Sequence, residues 1–172
     1  IVFDKTGTLT KGEPSVTDIV LAEAETGREV QLLGLAAATE KNSEHPLGEA
    51  IVRAAQGRGL PLAEPDSFSS IPGQGVEARV DGQAVLLGNR LLIGEHGVDF
   101  SSLLAQAERL EGEGKTVMFV AVDGAPAGLV AVADTLKENS AEAVGRLHRL
   151  GLEGVMITGD NRRTAEASAR QV

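Results

Sequence analysis

The chain opens with Ile1-Val2-Phe3 and then changes abruptly to Asp4-Lys5-Thr6-Gly7-Thr8. Three residues, each β-branched or aromatic, read as a short buried strand. No other stretch constrains the fold as strongly. Ligands of open α/β sheets bind outside the carboxyl ends of the strands, and that is where this polar string falls. An Asp there can hold a metal or a phosphoryl group, or act as a nucleophile that becomes an acyl-phosphate. Gly7 permits a tight turn that presents backbone N–H groups, and Thr6 and Thr8 add short donors suited to phosphate oxygens. The plain alternative is a strand ended by an Asx-type turn.

The same pattern recurs near the other end. Val155-Met156-Ile157 reads as a buried strand, and Thr158-Gly159-Asp160-Asn161 breaks from its carboxyl end. Ahead of it, Lys137 to Leu150 is an amphipathic helix with Ala141, Val144, Leu147 and Leu150 on one stripe. Arg162 to Gln171 is helical again. Strand–helix–strand–helix spacing predicts parallel strands with right-handed crossovers. Thr158 and Asp160 would then converge with Asp4 on one crevice, although an isolated Thr-Gly-Asp is an ordinary turn.

Between these ends the pattern differs. Leu9 to Pro14 reads as a polar turn and a hinge, and Val16 to Ala22 as β-like. Glu29 to Glu40 is a mostly buried helix, and Pro46 starts a second one running to Gln56. From Phe68 to Leu87 the period is two, with a glycine-rich turn at Ile71 to Gly75 and a hairpin turn at Asp81-Gly82. A short helix starts near Arg90 and a longer one spans Ser101 to Glu113. Thr116 to Val122 and Ala127 to Ala133 form a hairpin about Asp123-Gly124. The simplest arrangement is an α/β domain from 1–13 and 130–172, carrying an inserted α+β domain of antiparallel sheet and helices from 14–129.

Composition removes several function classes. A net charge of −9 without a Lys/Arg-rich run argues against a nucleic-acid partner. With no cysteine, disulfides and thiolate metal sites are excluded. The longest apolar run, Thr116 to Ala133, is interrupted at Asp123-Gly124 and Pro126, so its halves are too short to span a bilayer. The chain is expected to be soluble, without a signal peptide. It starts inside a strand and stops inside a helix, and is expected to be cut from something longer.

Three polar sets remain. Gly73-Gln74-Gly75 leads into alternating β structure rather than a helix, which rules out a dinucleotide fingerprint. It leaves a glycine pair where the backbone turns sharply or a flat ligand approaches. His45 precedes Pro46 at a helix start and follows Glu40, so the ring can meet a heterocycle or phosphate while Glu40 accepts a purine amino proton. His96 and His148 read as surface residues, and three such scattered histidines make no zinc site.

With these residues in view the chain resembles the P-type ATPases. IVFDKTGTLT resembles their phosphorylation motif, MITGDN their second phosphate-site motif, and Asp134-Thr135-Leu136-Lys137 the DxxK segment before it. SEHPLG with Glu40 upstream, GQGV and Gly88-Asn89 are similar to the nucleotide-domain set of the heavy-metal branch, most of all its copper(I) exporters. The resemblance implies a haloacid-dehalogenase-like phosphorylation domain, incomplete here, with an inserted nucleotide-binding domain. It implies ATP and Mg²⁺ as cofactors, with Asp4 as the nucleophile and Lys5 beside it. The Asp4 carboxylate and the Thr6 carbonyl would hold Mg²⁺, and Thr158, Gly159 and Asp160 would surround the phosphoryl group. Glu40, His45, Gly73, Gly75, Gly88 and Asn89 would line the nucleotide, with Lys137 a candidate phosphate-side cation. The partners implied are membrane and actuator domains of one longer protein, with this region on the cytoplasmic side and copper(I) bound elsewhere.

Related phosphatases carry a second Asp two residues after the nucleophile, as general acid/base, and Thr6 stands there instead. That departure speaks against a soluble phosphohydrolase. The family's GDGxND segment, with its Mg²⁺ carboxylate, and the lysine ahead of it would lie beyond Val172. The chain alone is therefore expected to bind nucleotide without turnover. A zinc or cadmium exporter and a purely nucleotide-binding regulatory module are the remaining alternatives.

Overall fold

The computed structural model describes residues 1–22, 28–159 and 162–172. Two sheets organise it. In the smaller, β1 (Val2–Asp4) pairs in parallel with β8 (Val155–Ile157), in the register Val2 to Val155, Phe3 to Met156 and Asp4 to Ile157. The larger has six antiparallel strands in the order β2 (Thr10–Leu21), β7 (Ala125–Leu136), β6 (Thr116–Val122), β5 (Gln83–Gly88), β4 (Gly75–Val80), β3 (Ser67–Ile71).

The sequence patterns of these strands follow from what covers each face. Helices α1 (Arg28–Glu40) and α2 (Pro46–Gly57) pack on one side, α3 (Arg90–Glu95) and α4 (Leu104–Gly112) on the other. In β6, Met118 and Val120 join the α1/α2 cluster while Val117, Phe119 and Ala121 join the opposite one. Covered on both faces, β6 and β7 read as unbroken apolar runs. β4 is covered on one face only: Val76, Ala78 and Val80 are buried, Glu77 and Arg79 are not. Its period of two has that origin. Among the described residues no helix is long and apolar enough to cross a membrane.

Several expectations are corrected. Leu9 to Pro14 is no turn, because β2 begins at Thr10 and runs on with a register irregularity at Gly12 (φ +80°). β2 and β7 pass unbroken through positions 13/14 and 129/130, the expected domain boundaries, which this continuity neither supports nor overturns. The expected helix from Ser101 starts as a single 3₁₀ turn, Ser101–Leu103, before α4.

Strands β1 and β8 are not buried: Val2, Val155 and Ile157 are 62%, 50% and 60% exposed. On α5 (Ser140–Arg149) the expected stripe buries Val144, leaving Ala141 and Leu150 exposed and Leu147 half-buried. Two strands with α5 and α6 (Arg162–Ala169) do not enclose a core among the described residues. Apolar side chains there meet solvent instead of a facing layer.

One charged cluster ties the inserted sheet's edge to α4. The Lys115 ammonium lies 2.7 Å from Asp18 on β2 and 2.7 Å from Glu113 just past α4. Burial opposes charge at Asp18 and Lys115, but the mutual hydrogen bonds outweigh it. Asp18 is lowered and Lys115 raised. Glu113 is lowered, chiefly by Lys115. A carboxylate with a lowered folded-state pKa stabilises above its unfolded value and loses that contribution as pH falls through the folded one. Lys115→Met should thus cost about 1 kcal/mol at pH 7. In chemical denaturation at decreasing pH the deficit should shrink once both carboxylates protonate, below their ordinary values of 3.8 and 4.5.

Candidate active site

Asp4 ends β1, and the chain turns at once. Thr6 is extended (φ −73°, ψ 123°) and Gly7 left-handed (φ 75°, ψ −13°), the two central conformations of a type II turn. Only glycine takes the second position without strain. The turn is held from below. Gly7 N–H donates to the Thr10 hydroxyl at 3.2 Å, and that hydroxyl lies 3.0 Å from the Lys5 carbonyl and 2.5 Å from Asp134 Oδ2. With one proton to give, Thr10 directs it to the nearer carboxylate. Asp134 Oδ1 accepts the Gly12 N–H at 2.9 Å, and the Leu9 carbonyl accepts from Lys137 N at 2.9 Å and Ser140 Oγ at 2.7 Å.

Because Asp4 is the register partner of Ile157, Thr158 and Gly159 leave β8 alongside the Asp4 turn. Neighbouring strands lie about 4.8 Å apart, so both loops border one strand-end crevice. Asp160, expected to complete this set, lies outside the described residues. Lys5 is buried and Asp4 exposed.

A second group sits where α1 meets α2. Glu40 ends α1 at 3% exposure, and its Oε2 has no hydrogen-bond partner. Burial raises its pKa, while the Ser43 hydroxyl and, whenever the ring is protonated, His45 pull the other way. His45 caps α2: its Nδ1 accepts the Leu47 N–H at 3.2 Å, with Pro46 as the first helical residue. That acceptor role leaves the ring proton on Nε2 of an exposed imidazole.

The third group joins two loops. Asn89 Oδ1 caps α3 by accepting from Leu91 N at 3.0 Å and Leu92 N at 3.2 Å. Its Nδ2 donates to the Gly73 carbonyl at 2.8 Å, and its N–H to the Gln74 carbonyl at 2.8 Å. A Cβ on Gly75 would lie 2.3 Å from the Leu87 carbonyl, and one on Gly88 2.4 Å from that of Gln74. Their close approach is therefore between β4 and β5 themselves. Gly73 (φ +74°) faces open space, which leaves room for a flat ligand.

The model of the haloacid dehalogenase-like hydrolases matches residues 1–172. A copper-exporting P-type ATPase of Bacillus subtilis (strain 168) is 51% identical over 99% of this chain, and a copper-transporting P-type ATPase of Rhizobium leguminosarum bv. viciae is 50% identical over all of it. The chain belongs to the heavy-metal-transporting P-type ATPases. It spans about a fifth of those two relatives, 21% and 20%. A zinc-transporting PIB-type ATPase in the E2.Pi state superposes with a TM-score of 0.88 at 40% identity, covering 99% of this chain and 27% of that one. The N-domain of HMA6, a copper-transporting P-type ATPase, is 32% identical with a TM-score of 0.59, covering 70% of this chain and 99% of that one. The chain thus corresponds to the ATP-binding and phosphorylation domain of a heavy-metal P-type ATPase.

Within this P-type ATPase domain, the Lys137 ammonium is exposed and donates to the Gly7 carbonyl, a brace on the turn that the sequence did not suggest. Thr10 and Asp134 were the residues that sequence reasoning gave no role at the site. A buried Thr six residues after Asp4 carries no signal until the register brings Asp134 opposite it. His96, read as a surface residue, is exposed but pairs with Glu77 at 2.7 Å and sits 2.9 Å from the Leu92 carbonyl. The Asp4 carboxylate and Thr6 carbonyl are hard oxygen donors on one turn, a set that fits Mg²⁺.

Three substitutions check this geometry. Gly75→Ala should lose about 1–3 kcal/mol in denaturation, because backbone must move. Gly73→Ala should lose about 1 kcal/mol, the cost of a left-handed alanine. A raised carboxyl pKa stabilises the fold only below the unfolded value and is lost as pH rises through the folded one. Glu40→Gln should therefore melt higher than wild type at pH 8, with the gap closing below pH 4.5.

Proposed function

We propose that Asp4 is the nucleophile of this domain and that the Glu40–His45 and Gly73–Asn89 groups hold ATP. The observation that carries the reading is the β1–β8 register, which sets the Asp4 turn beside Thr158 and Gly159 at the carboxyl ends of parallel strands. An Asp4 oxygen bonds to the γ-phosphorus as the bond to the β-phosphate oxygen breaks, giving an aspartyl-phosphate and ADP. Lys5, Thr158 and Gly159 border the transferred group, and Asp160, outside the described residues, is assigned a role beside them. Mg²⁺ would be held by the Asp4 carboxylate and the Thr6 carbonyl, and supplies charge neutralisation at the phosphoryl oxygens.

The rest is positioning. The bonds from Thr10, Lys137 and Asp134 hold the turn so that Asp4 needs no reorganisation before attack. With a threonine side chain at position 6, no carboxylate stands there to activate water, which prolongs the acyl-phosphate. A long-lived intermediate gives the longer protein time to change conformation.

The transported ion we assign is copper(I), bound by membrane segments of that longer protein, with this domain on the cytoplasmic side. Copper is the metal named for the relatives quoted above, at 50–51% identity. Zinc is the second reading, favoured by the 0.88 superposition on a zinc transporter at 40% identity. ATP titration followed by NMR tests the nucleotide site: amide resonances of His45, Gly73 and Gly75 should move saturably. Three unmoved amides at millimolar ATP would refute it.

A further inference from the structure

Gly48, on the first turn of α2, is buried, and what lies against it is the Glu40 carboxyl. A Cβ built there would stand 2.3 Å from Glu40 Oε2, 2.9 Å from Glu40 Cδ and 3.1 Å from Ser43 Oγ. The obstruction is thus the end of one flexible side chain and a hydroxyl, with no backbone among the three. Contrast Gly75, where carbonyl and Cα atoms block the way. The fold can absorb a methyl group at position 48, but the Glu40 carboxyl cannot keep its place.

That place is costly to maintain. Glu40 is 3% exposed, and Oε2 lacks a partner in an environment that penalises its charge. Ser43 Oγ accepts the His45 N–H at 3.3 Å and also interacts with the Glu40 carboxyl, so one hydroxyl ties the acid to the histidine loop. Gly48 lies three residues beyond His45, the N-cap of the same helix. One helix entry therefore places both the carboxyl and the imidazole.

We propose that Gly48 and Ser43 are positioning residues for base selection: Gly48 leaves the space that Oε2 fills, and Ser43 fixes the carboxyl's direction. A carboxylate so held takes the exocyclic amino proton of an aminopurine. It repels an oxopurine, whose carbonyl oxygen occupies the equivalent edge. The proposal rests on the reading that Glu40 meets the base of bound ATP.

Calorimetric titration of the full chain with ATP and with GTP tests it, using wild type, Glu40→Gln, Gly48→Ala, Ser43→Ala and Gly48→Ala with Glu40→Asp. Gly48→Ala should lower ATP affinity about tenfold, the loss of one charge-assisted hydrogen bond, with GTP little changed. Ser43→Ala should act in the same direction. Glu40→Asp, one methylene shorter, should restore part of the ATP preference in the Gly48→Ala background while lowering it alone. A merely structural glycine would give no such rescue. If Gly48→Ala keeps the wild-type ATP-to-GTP ratio, or the shortened acid restores nothing, the positioning role is overturned. If Glu40→Gln also keeps that ratio, or wild type shows no ATP preference, the base-contact reading falls with it.

Discussion

Everything in this domain hangs on the place where the chain leaves the small parallel sheet and returns to it. Thr10 and Leu136 are register partners at the foot of β2 and β7, and Asp134 takes both the Thr10 hydroxyl and the Gly12 N–H. Just past the returning strand, Lys137 and Ser140 bond back to Gly7 and Leu9. Outgoing and incoming chains are thus pinned to each other within a few residues of Asp4. A charge-assisted hydrogen bond to buried Thr10 is stronger than a neutral one, and severing it removes the carboxylate that joins the two strands.

The pinning has a mechanical consequence. β2 and β7 run from the Asp4 turn into the six-stranded sheet without a break, so turn and sheet share the same two strands. Helices α1 and α2 rest on that sheet and carry Glu40 and His45, while its β4 and β5 carry Gly75 and Gly88. Any tilt of the inserted sheet therefore acts on the strand that starts at Thr10, whose hydroxyl also accepts from Gly7.

Much of this was legible in the sequence. The hairpin about Asp123-Gly124 and the alternation of β4 were both readable from residue pattern. Pro46 marked the start of α2, and the two strand-end motifs marked the crevice. Other features lay beyond one-dimensional reasoning. Periodicity says that Val2, Val155 and Ile157 are apolar, but only a facing layer buries them, and the described residues provide none. Lys137 reads as a cation free to meet phosphate, yet the turn puts the Gly7 carbonyl within its reach. Gly48 looks like one helix glycine among several until Glu40 is found occupying the space a Cβ would fill.

The central claim is that Asp4, presented by the braced turn at the end of β1, receives the phosphoryl group. Acid-quenched incorporation of label from γ-³²P-ATP into the longer protein tests it most directly. The account predicts a label that hydroxylamine releases, as from an acyl-phosphate, and that Asp4→Asn abolishes while ATP binding persists. Label that survives in Asp4→Asn, or that resists hydroxylamine in the wild type, would contradict it.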